Sequence, residues 1–236
     1  MQVYQDALQN DQTYQQAIST WQSAKESLPI ARAYYLPTIQ TEYNYSQLHQ
    51  SRKDYDDTTD TSNASIALTQ QIFNYAGWMA IKESNYSVKA ATATYFAAQQ
   101  TLMESTASAY FNVMTAAETV IYDKAYTREL YNQLVTNQQK YKVGLISSVD
   151  VYTTEASYDA QVAQTIADQN TLRDNIEALA VITNHRYKTL QGIRNSVPLM
   201  TPKPNNINQW VSLSTKQNYA LQSEQYTTLA AKEDIK

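Results

Sequence analysis

The sequence contains no cysteine, and in 236 residues it has only three glycines and five prolines. Without cysteine there can be no disulfide, no thiolate metal site and no lipid-modified N-terminal cysteine; passage through an oxidising compartment needs none of these. So little Gly and Pro argues against a loop-rich globule and leaves long intervals of Ala, Gln, Ser, Thr and Tyr, the profile of extended helices. Charge is also sparse, at 17% of residues with a net charge of −4. That leaves no electrostatic footprint for a phosphate backbone or an anionic membrane surface and argues against nucleic acid as a partner. No window approaches the roughly 20 apolar residues of a membrane-spanning helix; the richest, 107–122, is interrupted by Asn112, Thr115 and Glu118. Any contact with lipid therefore falls to strands. Gln2, Gln5, Asp6 and Gln9 stand where the apolar part of a signal peptide would lie, so an exported chain is expected here in its mature form.

The helices can be measured from their interruptions. Between Gly77 and Gly144 lie 66 residues without Gly or Pro, about 100 Å of α-helix at 1.5 Å per residue. Another 47 separate Gly144 from Gly192, so Gly144 reads as the turn of a very long helical hairpin, with arms over about 78–143 and 147–191. The stretch 3–33 reads as a further helix, kinked or broken near its end at Pro29. In the second arm Val151, Tyr158, Thr165, Leu172 and Leu179 recur every seven residues, with Glu155, Val162, Gln169 and Ile176 as a companion row. This is a coiled-coil seam whose polar entries suit a helix with several neighbours. Val88, Tyr95, Leu102 and Ala109 keep the same step in the first arm, and Ala90, Ala91, Ala97, Ala98, Ala116 and Ala117 allow close helix approach. Most such positions are packing and nothing more.

Two segments alternate instead. Over 38–48, Ile39, Thr41, Tyr43 and Tyr45 share one face against Gln40, Glu42, Asn44 and Ser46; over 64–73, Ala64, Ile66, Leu68 and Ile72 oppose Ser65, Ala67, Thr69 and Gln71. Each is about the 9 to 11 residues of a tilted transmembrane strand. The Asp-, Thr- and Ser-rich stretch 49–62 reads as an exposed loop. A lone hairpin leaves backbone groups unpaired, which lipid does not tolerate, so strands facing a membrane require other hairpins to close a barrel and hence an oligomer.

Leu36-Pro37 before the Tyr-rich strand, Ala67-Leu68-Thr69-Gln70-Gln71-Ile72-Phe73 entering the long helix, Ala109-Tyr110-Phe111-Asn112-Val113 within it, and Val143-Gly144-Leu145 followed by Asp150-Val151 occur in order. Together they resemble the TolC-like outer-membrane efflux protein family along the whole chain. That resemblance implies a trimeric α/β-barrel duct in the outer membrane of a Gram-negative bacterium, its helices in the periplasm. It also implies a periplasmic adaptor protein and an inner-membrane pump as partners in drug efflux or type I secretion. Family members are tandem repeats. A first repeat is expected over 1–204, ending in a connector with Pro198, Pro202 and Pro204. A second begins in 205–236, where Asn218 and Leu221 correspond to Asp11 and Tyr14 at an offset of about 207 residues.

By the same resemblance Val143, Gly144 and Leu145 form the adaptor-docking tip, although a helix-to-helix turn alone accounts for the glycine. Asp150 corresponds to a gate position that helps hold the pore shut. Its local reading is a first-turn acid with Ser147 or Ser148 as cap, and Val149 replaces a hydroxyl that often belongs to such a lock. Ile39, Tyr43, Tyr45, Ile66, Leu68 and Ile72 are the expected membrane-facing residues. Tyr43, Tyr45 and Tyr75 suit an interfacial aromatic girdle, and Trp78 suits the junction of barrel and helix. His49 and His185 lie far apart without an acid–histidine pattern, and no nucleophile elbow, phosphate loop or dinucleotide fingerprint occurs. No catalysis, metal or cofactor is expected. A soluble coiled-coil scaffold would explain the heptads but not the two alternating segments. A periplasmic adaptor would need Gly-rich β-domains that three glycines cannot supply.

Overall fold

The computed structural model describes residues 2–53, 55–187, 189–192 and 200–235. In chain order these form α1 (Gln2–Asn10), α2 (Gln12–Lys25), α3 (Ser27–Ala33), β1 (Thr38–Arg52), β2 (Tyr55–Thr69), α4 (Tyr75–Lys142), α5 (Ser148–Thr183), α6 (Ile207–Gln217) and α7 (Tyr219–Asp234). They divide into two compact units, Met1–Ser19 with Tyr95–Lys216 and Thr20–Thr94 with Gln217–Lys236.

The first unit is built on the antiparallel pairing of α4 with α5. Along α4, Leu102, Thr106, Ala109, Val113, Ala116, Val120, Asp123, Thr127, Leu130 and Leu134 are buried or half-buried at alternating steps of four and three. α5 answers with Val151, Thr154, Tyr158, Gln161, Thr165, Asp168, Leu172, Asn175 and Leu179. The period of 3.5 is that of a coiled-coil seam, and it continues the seven-residue steps visible in the sequence. In the companion row, however, Glu155 is exposed and Thr154 takes the buried place. Polar layers are matched across the seam: the Thr127 and Thr165 hydroxyls meet at 2.9 Å, and Asn137 Nδ2 donates to Thr154 Oγ1 at 2.9 Å. α1 closes one end, where Ala7, Tyr14 and Leu102 form a buried cluster flanked by Leu8, Tyr95 and Ile182. Tyr14 and Tyr95 share a hydrogen bond of 2.9 Å, and Tyr187 donates to Asp6 Oδ2 at 2.6 Å.

The second unit pairs the β-hairpin with short helical packing. Trp21 Nε1 donates to Thr92 Oγ1 at 3.0 Å, and Ser27 meets Ser84 through their hydroxyls. Small buried residues, Ala90, Ala93 and Ala230, let α4 and α7 approach closely enough for Ser223 to bond both Thr94 Oγ1 and the Ala90 carbonyl.

Four local readings are corrected. The stretch 3–33 is three helices interrupted at Asp11 and Glu26, not one helix broken at Pro29. Pro29 sits in the first turn of α3, where the missing N–H has no intrahelical partner to lose. Residues 49–52 and 55–62 are strand, not loop; Thr-rich sequence supports extended backbone even where it is too polar for a core. β2 ends at Thr69, which leaves Ile72 beyond the strand. α5 ends at Thr183 rather than near 191, because Asn184 adopts the left-handed conformation (φ 51°) that terminates helices. Of the proline connector, Pro198 lies outside the described residues, while Pro202 and Pro204 fall in irregular chain.

Candidate functional site: the helical turn and the strand pair

The turn between α4 and α5 is built from paired end-caps. Gly144 takes φ +76°, and its N–H donates to the Tyr141 carbonyl while the Leu145 N–H reaches back to Lys140, each at 2.9 Å. This double closure satisfies the Lys140 and Tyr141 carbonyls in the last turn of α4 and favours a residue without a Cβ at the left-handed position. Two residues on, Ser147 caps α5. Its Oγ accepts the Asp150 N–H, and the Asp150 carboxylate accepts both the Ser147 N–H (3.1 Å) and its hydroxyl (2.8 Å). Of the two candidate caps it is thus Ser147 that acts. Asp150 Oδ2 is held within its own hairpin by Ser147. With backbone needs met locally, the apolar side chains at the turn have nothing to cover: Val143 is 70% exposed and Leu145 72%. Val149 and Tyr152 extend this exposed surface onto a shallow groove along α5 with Thr153, Ala156, Ser157 and Ala160.

In the strand pair, β1 and β2 run antiparallel with Ile39 opposite Leu68, Thr41 opposite Ile66, Tyr43 opposite Ala64 and Tyr45 opposite Ser62. Directly opposed residues share a face, so Ile39, Tyr43, Tyr45, Ile66 and Leu68 lie on one side. Gln40, Glu42 and Asn44 lie on the other, with Ala67, Ser65 and Asn63. All five of these large apolar side chains are exposed, Ile66 at 80%. Ile72 is exposed too, but off the strand. Past Tyr45 the same face turns polar through Gln47 with Asp60 and His49 with Thr58, where the imidazole Nδ1 meets Thr58 Oγ1 at 2.9 Å. The apolar face therefore occupies only the half of the hairpin nearer its ends. Among the described residues the sheet has two strands, and its outer edges are unpaired.

The sequence profile of the outer membrane efflux protein family matches residues 3–185. The chain belongs to that family. It is 30% identical over its whole length to the outer membrane protein TolC of Escherichia coli, of which it covers 48%. It is 26% identical over 230 residues to the proteases secretion protein PrtF of Dickeya chrysanthemi, covering 91% of this chain and 49% of that protein. The outer membrane channel CmeC of Campylobacter jejuni shares its fold, with a TM-score of 0.82 at 16% identity over 98% of this chain and 51% of the channel. The chain spans about half the length of the curated relatives it matches. Family membership places it in the outer membrane.

In this outer membrane efflux family chain the junction of β2 with α4, which Trp78 marks in the sequence, is held by a cluster of Tyr34, Tyr35, Gln70 and Asn74 that no periodicity marks. There Gln70 Nε2 donates to the Tyr35 carbonyl at 2.7 Å and Asn74 Nδ2 to the Tyr34 hydroxyl at 2.7 Å, while the Tyr35 hydroxyl donates to the Asn74 carbonyl. Gly77 fits beneath this cluster; a Cβ there would come within 2.9 Å of the Tyr34 ring. Trp78 and Tyr75 stand exposed beside it. The available signal was the pair Tyr34-Tyr35 next to Leu36-Pro37, two rings with no place in either periodicity. Among the described residues no group of three or more metal-ligating side chains occurs, and no helix is long and apolar enough to cross a membrane.

Proposed function

We propose that this chain is a wall subunit of an outer-membrane export duct that passes drugs or proteins without catalysis. β1 and β2 enter a closed β-barrel shared by three copies, and the α4–α5 turn docks a periplasmic adaptor coupled to an inner-membrane pump. The observation that carries this reading is the exposed face of Ile39, Tyr43, Tyr45, Ile66 and Leu68 on a strand pair whose edges lack partners. Backbone groups in lipid must be paired, and two strands leave edges that only further hairpins can close. A soluble coiled-coil scaffold leaves that apolar face without a purpose.

A tandem repeat boundary near 204 and 205 is supported by capping chemistry. Asp11 Oδ1 accepts the Tyr14 N–H at 2.7 Å, and Asn218 Oδ1 accepts the Leu221 N–H at 3.1 Å, so corresponding positions make the same cap. In this reading the Asp150 carboxylate, one oxygen committed to Ser147, bonds a neighbouring hairpin through the other and contributes to the gate.

Leu145→Asp tests the docking turn. Leu145 is exposed and makes no packing contribution that a charge would disturb, so trimer yield and thermal stability should stay near wild type. At a desolvated adaptor interface the same charge costs more than about 2 kcal/mol, and export should fall at least tenfold, with recovery by compensating adaptor changes. Loss of trimers would make the turn structural; undiminished export would place the adaptor elsewhere.

A further inference from the structure

Asp123 is the one ionisable side chain on the α4 seam between Leu102 and Leu134, and it is only 6% exposed. Its Oδ1 accepts Gln161 Nε2 at 3.2 Å, while Oδ2 is enclosed and receives no N–H or hydroxyl donor from the described residues. The Thr127–Thr165 and Asn137–Thr154 bonds fix the antiparallel register of α4 and α5. That register brings the carboxyl of Asp168, itself a seam residue of α5, against Asp123. Two ionised carboxylates offer each other acceptors and no donor, and like charges withdrawn from water repel. Neither makes an ion pair among the described residues. From α5 the groups acting on Asp123 are Asp168 and Gln161; on α4 its charged neighbours in sequence are Lys124, Glu118 and Arg128, all exposed. Gln164 Nε2 occupies Asp168 Oδ2 at 2.8 Å. Asp168 is half-buried and lines a polar recess with Asn112, Thr115, Thr119, Thr171 and Asn175, which gives solvent protons a route to the pair.

We propose that Asp123 and Asp168 share a single proton in a carboxyl–carboxylate hydrogen bond that ties α4 to α5 midway along α5, and that the tie opens when the proton leaves. The proton supplies the donor that Oδ2 lacks, and it reduces two opposed negative charges, that of Asp123 buried, to one delocalised over the pair. Burial first, and then Asp168, raise the Asp123 carboxyl above its ordinary 3.8, against a smaller lowering by Gln161. A raised carboxyl favours the protonated folded state. Its stabilisation is complete below the unfolded-state value and lost as pH rises through the folded-state value. The seam thus loosens toward alkaline pH, the reverse of carboxylates held by cations.

Thermal unfolding of the full chain and of Asp123→Asn, followed by circular dichroism between about pH 5 and about pH 8, tests this. The amide donates to Asp168 without a titrating proton. The Tm of the variant should therefore exceed wild type at the alkaline end, with the difference shrinking or reversing at the acid end. Infrared spectra should show a carboxylic-acid C=O band persisting above the ordinary carboxylate range in wild type and absent from the variant. Asp168→Asn should reproduce both results, and it carries the test if the first variant does not fold. A Tm difference independent of pH, with no persistent acid band, overturns the proposal. So does a rise in wild-type Tm on adding Ca²⁺ or Mg²⁺ at the alkaline end that is lost in Asp123→Asn, because the pair would then hold a cation instead of a proton.

Discussion

Tyr187 follows the end of α5, and its hydroxyl reaches Asp6 on α1. Burial first, and then that bond, push the Tyr187 phenol up to about 12, and burial together with the Tyr95 hydroxyl raises Tyr14 to about 12 as well. Both groups are favoured neutral in the folded state. Their contribution is fully present below the ordinary phenol value near 10 and is lost as pH rises through about 12. Tyr187→Phe keeps the ring but loses the bond to the Asp6 carboxylate, at a cost of about 1 kcal/mol after allowance for partial exposure. In urea unfolding the midpoint should drop with an unchanged slope, and alkaline unfolding should become less steep. An unchanged midpoint would show that the bond contributes nothing.

At the scale of elements, the helical hairpin was legible because two independent signals agreed: the heptad step in Val151, Tyr158, Thr165, Leu172 and Leu179, and the absence of helix breakers between Gly77 and Gly144. Boundaries were legible only where a strong stop occurs. Gly144 is such a stop. Asn184 is a weaker one, because a non-glycine residue takes the left-handed conformation only when local contacts hold it there, and so the end of α5 was read too far along. The far half of the hairpin was hidden for a different reason. Thr58, Thr59 and Thr61 suit extended backbone, but with polar residues on both faces no alternation marks them as strand. Asp150 carried its local role in the sequence as a first-turn acid, whereas the contacts of Tyr34, Tyr35 and Asn74 depend on a chain reversal that periodicity does not encode. The Ser147 cap makes a prediction of its own. Ser147→Ala removes the hydroxyl that accepts the Asp150 N–H and donates to its carboxylate, which should cost about 1 kcal/mol. Amide exchange should accelerate in the first turn of α5, at 149–151, and not beyond mid-helix. Acceleration along the whole of α5 would mean that the cap governs the seam.

For the whole molecule, family membership, the shared fold and the exposed strand face converge on an outer-membrane protein whose described strands cannot stand alone in lipid. The helical seam and the strand pair impose opposite demands on sequence. The α4–α5 seam conceals its apolar residues between helices, while β1 and β2 present theirs outward. The most direct measurement is site-directed spin labelling along the strand pair in outer-membrane vesicles, which the absence of native cysteine makes possible one position at a time. Labels at Ile39, Tyr43, Ile66 and Leu68 should relax faster with oxygen, which concentrates in lipid. Labels at Gln40, Glu42, Ser65 and Ala67 should respond to a water-soluble nickel reagent, giving a period of two that is out of phase between the faces. Uniform access to the aqueous reagent, or the opposite phase, would contradict the placement of this hairpin in a membrane barrel, and with it the duct.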